Sequence, residues 1–379
     1  MRGTTGRLAG ALLLLWVSAA VANGQTATAS VPEIPFDSVA DFLKLPEGFN
    51  FGEVPGVAVD SRGRVYVFSR SGSASGPAFG PTAAQLLLFG PKGEFIREIG
   101  KDLYGWSFAH SVRIDRSDNI WAIDKGSDMV IRMDPSGRVT WVFGRRQESA
   151  DGAEPWEHVT PPLAPQDGRF RQPTDVAWDS QGNTYISDGY VNSRVAKYDR
   201  NGDWVKSWGE PGTGPGQFRT PHAIAIDRQD NVYVGDRGNS RVQVFTTDGQ
   251  YLREFKVSVP PDYTTRAVNG PTPKAGDMTG VGAPNSLCMT PGPQQVLFLG
   301  ESTWPGRIFK VALDGKVLGV IGKSGRNLKQ FSGVHAIACP SRTSCTLPRR
   351  RTGACRSCCC VRRRPRRPRV AERPRLESQ

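Results

Sequence analysis

One phrase recurs along this chain: alternating apolar residues, an Asp, a turn with Gly or Asn, then a second alternating run. It reads Val57-Ala-Val-Asp60-Ser-Arg-Gly-Arg-Val-Tyr-Val-Phe68 and Val112-Arg-Ile-Asp115-Arg-Ser-Asp-Asn-Ile-Trp-Ala-Ile123. It returns as Val176-Ala-Trp-Asp179-Ser-Gln-Gly-Asn-Thr-Tyr-Ile186 and Ile224-Ala-Ile-Asp227-Arg-Gln-Asp-Asn-Val-Tyr-Val234. Period-two alternation marks strands, and the Asp, Ser, Gly and Asn clusters between them mark hairpin turns. A further strand pair follows around an Asp-x-Gly-type turn, as in Lys197-Tyr-Asp-Arg-Asn-Gly202-Asp-Trp-Val-Lys-Ser-Trp208.

Four strands per unit of about 40 to 60 residues is the pattern of a propeller blade. Units start near residues 54, 109, 171, 219, 282 and 333. The fifth is degenerate, though Gly315 keeps its last turn, and the sixth is cut short. Residues 145–168 and 257–280 are Pro- and Gly-rich insertions. The organisation resembles the NHL-repeat family of six-bladed propellers. The expectation is therefore an all-β, six-bladed β-propeller over residues 54–340, with an incomplete last blade, after an N-terminal segment at 23–53.

The ends of the chain read differently. Residues 1–22 carry Arg2 and Arg7, an apolar run from Leu8 to Val21 and the small-residue stretch Ala20-Val21-Ala22. That is the pattern of a secretory signal peptide, too short for a membrane span. The expectation is a secreted or periplasmic monomer with no stable membrane span after cleavage; an uncleaved anchor is the alternative.

The formal charge of +13 does not indicate nucleic-acid binding. Residues 341–379 hold thirteen Arg against Glu372 and Glu377, which accounts for +11 and leaves +2 for the rest. This basic tail has no aromatic residue and carries five of the seven cysteines, so it is expected to be disordered. It also reads as a shifted frame. Codons can be chosen for Arg342–Arg349 that, moved by one base, spell Glu-Asn-Glu-Leu-Tyr-Val-Ala-Glu, a phrase of the repeat. Sequencing the gene through codon 341 checks this.

Three of the four histidines share one place in the repeat. His110 and His222 each lie five residues before the repeat Asp, at Asp115 and Asp227. His335 lies five before Pro340, where the matching Asp would stand. The separations of 112 and 113 residues are two blades each, which in a six-bladed ring places the side chains about 120° apart around the central channel. Three neutral imidazoles with an open fourth position form a zinc site of the catalytic kind. Blades three and five hold Thr174 and Asn285 in this register, so histidine is not its default residue. His158 has no such partner and is expected at the surface. Arg194, Arg241 and Arg307 recur in the repeat and are expected to pair with Asp188, Asp236 and Glu301.

The chain further resembles the peptidyl-α-hydroxyglycine α-amidating lyases. The resemblance rests on Phe68-Ser-Arg70, His110-Ser-Val112, Ser187-Asp-Gly-Tyr190-Val-Asn-Ser-Arg194, Thr220-Pro-His222 and Gly235-Asp-Arg237-Gly-Asn-Ser-Arg241. It implies that His110, His222 and His335 bind zinc. It also implies that Tyr190 and Arg70 are the catalytic pair, with Arg237 in the same pocket. The implied reaction breaks a hydroxyglycine C–N bond, releasing a peptide amide and glyoxylate. Tyr190 then serves as general base, with Arg70 and Arg237 as carboxylate clamps. The implied partner is a small peptide-like or hydroxyglycine-type substrate.

Two residues depart from that family. Ala336 stands where an Asp after the third His helps bind a structural calcium, which puts Ca2+ in doubt. Val191 replaces a Cys, so the family's stapling disulfide is absent. The alternatives are a non-enzymatic NHL-repeat scaffold that binds protein or glycan, and a propeller hydrolase or lactonase, whose calcium ligands are usually Glu, Asp and Asn.

Overall fold

In a computed structural model, residues 31–71, 76–80, 83–148, 151, 154–268, 271–302, 304–341, 344–346 and 357–358 are described. The expected signal peptide and most of the 341–379 tail lie outside them. Among the described residues no helix is long and apolar enough to cross a membrane.

Among the described residues from Val31 onward, the chain builds five antiparallel four-stranded sheets, each a meander in sequence order. Their innermost strands are Glu53–Val59, Ala109–Ile114, Pro173–Trp178, Pro221–Ile226 and Pro284–Met289. The repeat Asp closes the inner hairpin of blades one to four, and Thr290 takes its place in blade five. Asp227 Oδ1 accepts from the backbone N–H groups of Gln229 and Asn231, both at 2.9 Å, and its Oδ2 accepts from the Tyr233 hydroxyl at 3.1 Å. A carboxylate that satisfies two turn amides favours this turn over other local conformations.

Strand alternation places the core between neighbouring sheets. Tyr66 and Phe68 of blade one pack with Val112, Ala122 and Ile131 of blade two. Val65 and Val67, one residue out of phase, face the other way and pack with Ala336 and Ala338. Successive side chains leave opposite faces of a strand, so each blade contributes to two cores.

Among the described residues a partial unit follows blade five. Val334, Ile337 and Cys339 pack against blade five, and Ala336 and Ala338 against blade one. This alternation is that of an innermost strand. Its paired portion is a hairpin of Ala338–Ser341 with Ser344–Thr346. Among the described residues there are thus five complete blades and a two-stranded piece. A disulfide joins Cys288 of blade five to Cys339. The N-terminal segment also joins the ring: Ile34 N–H donates to the Val320 carbonyl at 2.8 Å, along the outer strand of blade five.

Candidate metal centre

Each innermost strand carries an irregularity at the same place. Ala109 pairs with Asp124 and Ser111 with Ile123, which leaves His110 as the extra residue between them. The same shift leaves Thr174, His222 and Asn285 unpaired in blades three, four and five. A bulge of this kind re-aims one side chain and one carbonyl out of the ladder. The repeat register that predicted a common ring of histidines is thus a register of bulges.

His110, His222 and His335 meet. Their ligand atoms all lie within 4.8 Å of one another, and the rings are buried at 1 %, 2 % and 5 % exposure. His110 Nδ1 lies 2.7 Å from the Thr174 carbonyl, His222 Nδ1 2.8 Å from that of Asn285, and His335 Nδ1 2.9 Å from that of Pro55. A carbonyl only accepts, so each Nδ1 carries a hydrogen. Burial, helped by Arg70, Lys125 and Arg237, pushes His110 well below the ordinary histidine range. Burial and then Arg237 do the same to His222. Three imidazoles tied through Nδ1, with their ligand atoms grouped together, are a donor set that could hold a metal ion.

Tyr190 stands over this group. It follows the strand Thr184–Asp188 in a turn and is 5 % exposed. Its hydroxyl lies 3.1 Å from His222 Nε2 and 3.3 Å from His110 Nε2. Arg237 Nη1 donates to the same oxygen at 3.4 Å and to Asn285 Oδ1 at 3.3 Å. A cleft of about 680 Å³ opens from this point, lined by His158, Leu163, Tyr190, Phe218, Thr220 and Arg237 among others.

Arg70 ends the strand Val65–Arg70, is buried, and lies close enough to His110 to help lower its pKa. Its Nη1 pairs with Glu53 at 2.7 Å, its Nε donates to the Ala109 carbonyl at 2.7 Å, and its plane lies over Phe108. His158 is exposed, as expected, but stands at the cleft mouth, with its Nε2 3.4 Å from Thr220 Oγ1 and its ring 5.9 Å from that of Tyr190.

Sequence reasoning missed Lys125. Its ammonium is ion-paired to Glu157 and lies 3.7 Å from the Tyr190 ring centroid and 4.2 Å from that of Trp156. Lys125, Tyr190 and Arg237 occupy the same turn in successive blades, and that shared register was the available signal. Glu157 and Trp156 lie in the 145–168 insertion, which has no repeat to align. The structural pairs are as expected: Arg194 on Asp188, Arg241 on Asp236 and Arg307 on Glu301.

Residues 218–245 match the NHL repeat family. The chain is 31% identical to the peptidyl-glycine alpha-amidating monooxygenase of Mus musculus over 59% of its own length and 24% of that protein's. It is 31% identical to peptidyl-alpha-hydroxyglycine alpha-amidating lyase 1 of Drosophila melanogaster, over 29% of this chain and 19% of that one. It is 30% identical to NHL repeat-containing protein 3 of Mus musculus, over 52% and 53%. The chain thus spans about a quarter of the length of the monooxygenase it matches. A streptogramin B lyase structure superposes with a TM-score of 0.49 at 14% identity, covering 83% of this chain and 80% of that one. The chain is an all-β propeller with an NHL repeat, and its relatives include the peptidyl-α-hydroxyglycine α-amidating lyases.

Proposed function

We propose that this chain is a zinc-dependent carbon–nitrogen lyase of the amidating type, secreted or periplasmic and monomeric. Its scaffold is a six-bladed propeller whose last blade is incomplete. Its substrate is a small peptide-like molecule ending in α-hydroxyglycine. The single observation that carries this reading is the Tyr190 hydroxyl, poised over the Nε2 atoms of two of three clustered histidines with Arg237 on the same oxygen.

His110, His222 and His335 would hold the ion, which when bound supplies Lewis-acid polarisation of a substrate oxygen. The chain's own residues do the rest. Arg237 holds Tyr190 at the mouth of the cleft and offers a planar fork to the substrate carboxylate. Tyr190 as its phenolate takes the proton of the α-hydroxyl. The C–O pair closes to the aldehyde of glyoxylate, the C–N bond breaks, and the nitrogen takes the proton from Tyr190 to leave as the amide. Arg70, held by Glu53 and the Ala109 carbonyl beside His110, is the second clamp in this reading.

Glyoxylate release from α-hydroxyhippurate, measured on zinc-loaded protein, tests this reading. A protein that holds stoichiometric zinc and yields no glyoxylate overturns it. The second reading is a non-enzymatic NHL-repeat scaffold that binds protein or glycan.

A further inference from the structure

His110 and His222 sit on innermost strands with complete blades behind them. His335 does not, because residues 333–337 form no strand. Blade five supplies most of what holds this segment. Val334 N–H donates to the Glu301 carbonyl at 3.0 Å. The Val334 carbonyl accepts from Ser286 Oγ at 2.9 Å and Asn285 Nδ2 at 3.3 Å. The disulfide Cys288–Cys339 ties its far end.

One contact comes from a different direction. Arg113 lies three residues beyond His110 on the innermost strand of blade two. Its Nε and Nη2 grip the Asp175 carboxylate at 2.8 and 2.5 Å. Its Nη2 also donates to the Leu287 carbonyl at 3.0 Å, and its Nη1 to the Ile337 carbonyl at 3.4 Å. Asp175 in turn accepts from Ser111 Oγ at 3.1 Å and from Ile224 N–H at 3.3 Å. The ion pair therefore touches blades two, three, four and five and the sixth segment. A guanidinium is planar, so gripping Asp175 bidentately fixes where its remaining hydrogens point.

We propose that Arg113 is a positioning residue for the third ligand. Anchored on Asp175, it spans the channel from the strand of His110 to the segment of His335 and sets the separation of the two imidazoles. This rests on the metal reading of the three histidines. A lysine in its place keeps a positive charge beside Asp175 but has no rigid fork to reach both carbonyls.

The test uses Arg113→Lys and Arg113→Met in the full chain, each alone and combined with His335→Ala. Zinc affinity is read by chelator competition, and amide exchange of residues 333–341 by mass spectrometry on metal-free protein. The expected result is a roughly 10- to 100-fold loss of zinc affinity in either single variant, the range seen for partners behind metal ligands. Combined with His335→Ala, the same changes should have no further effect. Exchange in 333–341 should quicken in Arg113→Lys while the hairpins of blades one to five keep their protection. Equal losses in both backgrounds, unchanged zinc affinity, or an Arg113→Lys chain that does not fold would each overturn the proposal. If the unaltered chain binds no zinc, the metal reading falls, and the exchange comparison alone decides whether Arg113 holds the segment.

Discussion

His110 Nδ1 lies 2.7 Å from the backbone carbonyl of Thr174, and both belong to bulges at the same point of adjacent blades. The bulge that aims the imidazole at the axis in blade two aims a carbonyl at that imidazole in blade three. His222 and Asn285 repeat the relationship in blades four and five. Because the partner is a backbone atom, replacing the Thr174 or Asn285 side chain leaves the histidine tautomer unchanged. The ligand set is thus oriented by the sheet itself.

The purified chain is expected to hold one zinc, and His222→Ala to lose it during dialysis that leaves the unaltered chain loaded. Atomic absorption on the dialysed proteins checks this. Binding to the folded state alone adds about 4 kcal/mol when free metal is a thousandfold above the dissociation constant. Chelation should therefore lower the melting temperature of the unaltered chain but not of His222→Ala.

Tyr190→Phe should retain zinc and lose glyoxylate formation by about 10²- to 10⁴-fold, the usual worth of a positioned acid–base group. Full activity in this variant would remove Tyr190 from the role of base.

The two arginines should separate. Arg237→Gln is expected to raise KM and lower kcat with little change in stability, because Arg237 faces the cleft. Arg70→Gln should instead destabilise the fold by about 3–5 kcal/mol, since it removes one side of the buried ion pair with Glu53. Urea melts of both variants beside their kinetics decide the assignment.

Loss of the Cys288–Cys339 bridge should cost stability and metal together. It closes a sequence separation of 51 residues, for which chain-entropy arguments give about 4 kcal/mol. The double variant Cys288→Ser with Cys339→Ser is expected to melt earlier and to bind zinc more weakly than the oxidised chain. Unchanged zinc affinity would show that blade five holds His335 without the bridge.

Asp128 gives the pH dependence a definite sign. Burial, then the neighbouring Asp188 and Glu154 carboxylates, push its pKa up to about 7, against the pull of the Gln172 amide. A raised carboxylate stabilises the fold below the unfolded pKa of about 4 and loses that stabilisation as pH rises through 7. Asp128→Asn should flatten this decline, leaving the variant more stable than the unaltered chain at pH 8, by about 4 kcal/mol at most. Asn suits the left-handed φ of 57° at this position and keeps an acceptor for the Gln172 amide. Denaturant melts at pH 5 and pH 8 check the sign.

What the sequence determined by itself is whatever repeats. Strand alternation, the turn Asp and the phase of His110, His222 and His335 are local and periodic, so counting residues was enough to place them in one register. The pairing of Arg194, Arg241 and Arg307 followed for the same reason. Only the tertiary structure decided what crosses between repeats. Arg70 turned to Glu53 because a buried guanidinium needs a carboxylate, and the nearest lay in the same blade. Glu157 reached Lys125 from an insertion with no repeat partner, and Arg113 reached Ile337 across the channel. Cys339, in the strand Ala338–Ser341, met Cys288 because that strand packs against blade five. These contacts depend on the ring bringing residues far apart in the chain within bonding distance, and no pattern along the chain encodes that distance.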